Sequence, residues 1–135
     1  MLFITRCPTV LILSSRYNTF ISDLTLDIVT RSIKGVFAYD IHWYYGIFEL
    51  EWLINQSSSR YHAIIVLGSS IKHNTNHYKW IARPCFQSLI NYPIVNLVFV
   101  SETSEHAWSR AINLNSTSVL YPVASLIGST MLVLV

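Results

Sequence analysis

Residues Ala63 to Leu67 read AIIVL, an apolar and mostly β-branched run that stops at Gly68. The next ten positions, Gly68 to His77, hold five hydroxyl or amide side chains, one lysine and two histidines. An apolar run with no polar alternation predicts a strand buried on both faces, the environment of a parallel sheet. In open α/β sheets, ligands sit outside the carboxyl ends of such strands. The polar segment that starts at Gly68 is therefore the first place to expect chemistry.

The rest of the chain repeats the same unit of strand, polar turn and helix. Val10 to Leu13 is a short apolar run, followed by Ser14-Ser15-Arg16-Tyr17-Asn18. Phe20, Leu24, Ile28 and Val29 then recur at helical spacing, with Asn18 or Thr19 as N-cap and Gly35 closing the segment. Val36 to Trp43 reads as a second strand and Phe48 to Ile54 as a helix ending at Ser57-Ser58-Ser59. Ala63 to Leu67 is the third strand, followed by a helix from about His77 to Asn91. Ile94 to Val100 is the fourth, with Glu102 and Glu105 in the first turn of another helix, where carboxylates suit the dipole. Alternating strands and helices predict parallel βαβ units within one domain spanning 1–135. No Gly-rich fingerprint follows the first strand, which argues against a dinucleotide site or a P-loop.

Composition narrows the partners. Charged residues are 12% of the chain and hydrophobic ones 52%, against ~25% charged in ordinary domains. A monomer this small cannot hide so much apolar surface, so the chain is expected either in a membrane or against copies of itself. The membrane alternative is the weaker one. Val119 to Val135 is the longest apolar stretch, but Pro122, Ser125, Gly128, Ser129 and Thr130 interrupt it and it is at the short limit for a span. The N-terminal residues do not read as a signal peptide. A net charge of +2 without a Lys/Arg cluster gives no nucleic-acid footprint. Cys7 and Cys85 lack metal or redox spacing. A cytoplasmic homo-oligomer is expected.

The strand order brings four segments to one sheet edge: Ser14 to Thr19, Tyr45 to Glu49, Gly68 to His77, and Ser101 to Thr103. They offer an aromatic face (Tyr17), a carboxylate (Glu49), an imidazole at a helix start (His77) and backbone amides near Asn74-Thr75. Helix N-termini attract anions. A flat, polar, partly anionic small molecule suits this set. His73 and His77 lie four apart without a third ligand, so no metal is expected. His42, His62 and His106 read as packing residues.

These residues, in order, resemble a known family. Arg16-Tyr17-Asn18 with Phe20-Ile21-Ser22-Asp23, then Gly46-Ile47-Phe48-Glu49-Leu50, then Leu67-Gly68-Ser69-Ser70-Ile71-Lys72 with Thr75 and His77-Tyr78, and finally Glu102 to Ala107 with Arg110-Ala111 resemble lumazine synthase of type I. The likeness covers roughly residues 8 to 112. It implies a flavodoxin-like, three-layer αβα sandwich around a four-stranded parallel sheet. It also implies pentamers, decamers or 60-subunit shells with active sites between adjacent subunits. The implied reaction joins 5-amino-6-ribitylaminouracil to 3,4-dihydroxy-2-butanone 4-phosphate, with no cofactor.

By the same resemblance His77 is the catalytic histidine and Tyr17 stacks on the pyrimidine. Ile47, Phe48 and Glu49 hold the ribityl chain, while Ser69, Ser70 and Ile71 read the pyrimidine edge through their backbone. Asn74 and Thr75 form the phosphate turn, and Arg110 reaches a neighbour's phosphate. Asn96 occupies the position of an aromatic that closes the neighbour's pyrimidine pocket. Other departures are His73 in place of a glycine, Glu51 for a proline, Lys79 for an acid, and the lack of a Lys-bearing segment beyond Arg110. They leave open a shell-forming or lumazine-binding protein without turnover.

Overall fold

The computed structural model describes residues 9–16, 19–71, 94–101 and 103–134. Four strands, β1 (Thr9–Ser15), β2 (Ala38–Tyr44), β3 (Ala63–Ile71) and β4 (Ile94–Ser101), form one sheet in the order β2-β1-β3-β4. Every neighbouring pair is parallel. The helices among the described residues are α1 (Thr19–Ile33), α2 (Ile47–Ser57), α3 (Ser104–Ile112) and α4 (Ser116–Leu134).

Side chains of the central strands serve two cores in alternation. Val10 and Ile12 of β1, with Ala63, Ile65 and Leu67 of β3, pack against Val29 and Ile33 of α1 and Val119 and Val123 of α4. Leu11, Leu13, Ile64 and Val66 point the other way, onto Leu50 and Ile54 of α2. Both faces are thus covered, which is why these strands show no polar alternation. The helices contribute residues four apart, such as Ile21, Thr25, Val29 and Ile33 of α1, so one stripe faces the sheet. Ala107 and Ala111 of α3 are small enough to seat that helix closely on Ile21 and Leu24. The three-layer αβα architecture is as the sequence implies.

Element ends differ from the sequence reading where a distant partner decides them. The second strand starts at Ala38 rather than Val36, because α1 runs to Ile33 and its exit uses the following residues. There Gly35 takes a left-handed φ of 85° and the Phe37 N–H returns to the Ile33 carbonyl at 3.1 Å. β3 runs four residues past Leu67, since Gly68, Ser69, Ser70 and Ile71 pair with Val98, Phe99, Val100 and Ser101 of β4. The segment expected as loop from Gly68 therefore begins as strand. The apolar stretch near the C-terminus forms α4 with Pro122 inside it. Among the described residues no helix is long and apolar enough to cross a membrane. The helix expected from His77 to Asn91 lies outside the described residues.

Candidate active site

In the order β2-β1-β3-β4, the chain leaves β1 for one side of the sheet and later returns to the other. The reversal point falls between β1 and β3, and it is there that sheets of this order take ligands, in a crevice beyond the carboxyl ends of the strands. The ladder between β1 and β3 ends at the pair Ser14 and Leu67. Past Leu67, β3 is held by β4 alone. The expected crevice is thus flanked by the ends of β1 and β3, and at its floor Gly68 packs directly on buried Ser15.

The start of α2 joins this edge directly from β2. Gly46 is an extended N-cap without a side-chain bond, Ile47 and Phe48 are the first helical residues, and Glu49 follows. Glu49 is exposed, and its Oε2 accepts the Tyr45 N–H at 3.0 Å. The carboxylate therefore also performs the plain structural task of capping its own helix, with the second oxygen outside that bond. Thr103 starts α3 at the same edge, its hydroxyl accepting the His106 N–H at 3.2 Å. Phe20 of α1 stacks on Trp108 of α3 with ring centroids 5.8 Å apart, and both rings are substantially exposed.

Buried polar groups concentrate at the crevice. Ser14 and Ser69 are buried on the α1 side of the sheet, and neither Oγ has a hydrogen-bond partner among the described residues. On the α2 side the Tyr44 phenol is only 2% exposed and donates to the Leu67 carbonyl at 2.9 Å. Burial pushes this phenol well above its ordinary range, and a hydrogen bond from Ser15 opposes that effect. Gly68 lies against it: a Cβ there would stand 2.8 Å from the Tyr44 hydroxyl and 3.2 Å from Ser15 Cβ. Arg16 sits over Trp43 at 5.0 Å from the ring centroid, and its N–H donates to the Tyr44 carbonyl at 2.9 Å.

The expected site residues divide into three groups. Ile47, Phe48, Glu49, Ser69, Ser70 and Ile71 fall together at the carboxyl edge. Asn96 and Arg110 do not join them. Asn96 pairs with Val66, three residues before Ser69, which places it about 10 Å back along the sheet. Arg110 is exposed in the last turn of α3, roughly 9 Å along the axis from Ser104. Tyr17, Asn74, Thr75 and His77 lie outside the described residues. The histidines expected in packing roles are exposed instead. His42 and His106 are at the surface, and His62 Nδ1 accepts the Thr9 N–H at 3.1 Å. No cluster of three metal-ligating side chains occurs among the described residues. A groove of about 500 Å³ between α1 and the α3–α4 turn, lined by Leu24, Ile28, Arg31, Ile112, Leu114 and Ser116 among others, shares none of these site residues. Tyr44 was not singled out from the sequence, and Ser14 and Ser15 entered only as the start of an edge segment, because their roles depend on contacts across three strands.

Sheet order, layers and switch point together place the chain in the flavodoxin-like class of α/β proteins, with its candidate site where such sheets take ligands. Comparison with known proteins gives the family. Residues 8–119 match the family model of 6,7-dimethyl-8-ribityllumazine synthase. The enzymes of that name from Edwardsiella ictaluri and Yersinia pestis are each 30% identical over 110 residues, covering 72% of this chain and 70% of theirs. The chain belongs to the lumazine synthase family, a family of transferases in riboflavin biosynthesis.

Proposed function

We propose that the chain condenses 5-amino-6-ribitylaminouracil with 3,4-dihydroxy-2-butanone 4-phosphate to give 6,7-dimethyl-8-ribityllumazine, releasing phosphate and water. The observation that carries this reading is the juxtaposition at the β1/β3 switch point of the α2 start, Ile47 to Glu49, with the end of β3, Ser69 to Ile71. Membership of the lumazine synthase family supports this choice of substrates.

In this reading the backbone of Ser69 to Ile71 reads the pyrimidine edge and Tyr17 stacks on its face. The ribityl hydroxyls donate to the Glu49 carboxylate. The substrate amine attacks the ketone to form an imine with loss of water, phosphate then leaves, and ring closure onto the remaining carbonyl, with loss of a second water, completes the product. His77, with an imidazole suited to proton transfer near neutral pH, shuttles protons between these steps. Asn74 and Thr75 hold the phosphate, with Arg110 entering from a neighbouring subunit. The distance of Arg110 and Asn96 from this chain's own edge agrees with service across an interface. The protein then works as a pentamer or a multiple of it in the cytoplasm. Exposed Phe20, Trp52 and Tyr121 are the apolar surface that such an assembly would cover.

The departures at His73 and Asn96 favour a second reading, in which the fold binds lumazine or forms a shell without turnover. Incubating the purified protein with both substrates and following product absorbance tests the first reading. Lumazine formation above the uncatalysed rate supports it. Product binding without turnover would establish the second.

A further inference from the structure

We infer that Tyr44 is a positioning residue of the candidate site: its hydroxyl ties the start of α2 to the backbone at the end of β3, so that both lips of the crevice hold one geometry. Its catalytic consequence rests on the reaction proposed above; the structural tie does not.

Three observations meet in this residue. Tyr44 ends β2, opposite Ser15 of β1, while its hydroxyl bonds to Leu67 of β3. Strands two places apart in a sheet are separated by about 9–10 Å, so the ring reaches across β1. Only a long side chain with a terminal donor can do this. The Leu67 carbonyl comes where β3 loses its β1 partner, and the bond replaces the missing ladder contact at the point where the crevice opens. The phenol also lies so close to Gly68 that a methyl group does not fit at this position. From Tyr44 the chain passes through two residues into Ile47–Glu49, and from Leu67 through one into Ser69–Ile71. One hydroxyl therefore sets the spacing between the segments proposed to hold the ribityl chain and the pyrimidine.

Three variants test this: Tyr44→Phe, Gly68→Ala and the double variant. Tyr44→Phe keeps the ring in the α2-side core and removes only the donor. Amide hydrogen exchange at residues 68–71 in the ligand-free protein should quicken about tenfold, the scale of one buried hydrogen bond. Affinity for 6,7-dimethyl-8-ribityllumazine should fall by a similar factor, while that for inorganic phosphate stays as in the wild type. The KM for the pyrimidine should rise without a matching rise for the phosphorylated butanone. Gly68→Ala should bind the product more weakly than the wild type, and adding Tyr44→Phe should recover part of the loss by removing the clashing oxygen. A Tyr44→Phe protein with a lower melting temperature but wild-type exchange and product affinity would overturn the inference and leave the phenol a stabilising group only. If the wild type neither binds the product nor turns over, the proposed reaction falls. The exchange comparison then decides on Tyr44 by itself: faster exchange upholds the tie, and unchanged exchange removes it.

Discussion

Ser14→Ala is expected to stabilise the protein, contrary to the usual effect of substituting a fully buried residue. The Ser14 side chain is 0% exposed and its hydroxyl finds no partner among the described residues. A buried, unsatisfied hydroxyl carries a desolvation penalty of about 1–3 kcal/mol. Alanine removes that penalty and keeps the buried Cβ on the face of β1 that carries Val10 and Ile12. The void left by one oxygen is roughly 15 Å³, which at about 24 cal/mol per Å³ costs about 0.4 kcal/mol. The net gain is on the order of 1 kcal/mol, or a rise in melting temperature of about 3–5 °C for a chain of this size. Thermal denaturation at matched protein concentration reads it directly, with the concentration fixed because assembly also shifts the midpoint. Ser14→Val extends the series: the added methyl groups meet a close-packed sheet face and should reverse the gain. A Ser14→Ala protein destabilised by 1 kcal/mol or more would refute the reasoning, because it would show that the hydroxyl is satisfied in the native state.

His77→Ala should lower turnover by the ~10²-fold or more typical of a lost general acid/base, measured as the initial rate of lumazine formation; an unchanged rate would leave His77 a structural residue. Arg110→Gln should weaken inorganic phosphate by about 1.5–3 kcal/mol and leave a ribityl-pyrimidine analogue nearly unaffected, because an amide cannot reproduce a bidentate guanidinium. Equal losses for both ligands in separate titrations would place Arg110 in the interface. The Tyr44 phenol predicts an alkaline effect. Its folded value is raised above the ordinary 10.0, so its contribution to stability is full below pH ~10 and is lost progressively as pH rises above that. Urea midpoints between pH 9 and 12 should therefore fall less steeply in Tyr44→Phe than in the wild type, and parallel curves would contradict the assignment.

Much of this fold was legible because burial on both faces leaves a plain mark. The runs Val10 to Leu13 and Ala63 to Leu67 have no polar alternation, and the spacing of Leu50 and Ile54 identifies a helix that covers one side. The end of β3 was not legible. Gly68-Ser69-Ser70 has the composition of a loop, and only the pairing with Val98 to Val100 makes it a strand. Helix α4 escaped for the opposite reason: Pro122 and the scattered hydroxyls weaken a helical pattern that packing of Val119 and Val123 restores. Within the candidate site, Glu49 and Ser69 to Ile71 were found through their segment pattern. Tyr44 was not, since nothing along the chain announces a contact that spans β1.

The same strand order has a bearing on how the protein folds. β1 is the inner strand for both of its neighbours, yet its partners are reached at different times. Ala38 to Tyr44 lie one helix away, whereas Ala63 to Leu67 lie beyond a second strand and helix. Closing the longer loop carries the larger entropic penalty and the slower search. An early β1-α1-β2 unit would therefore show the bare apolar edge of β1 to any extended segment nearby. During that interval the protein is most exposed to mispairing and aggregation. The flank of β1 that β3 later covers is, while the chain is folding, its most adhesive part.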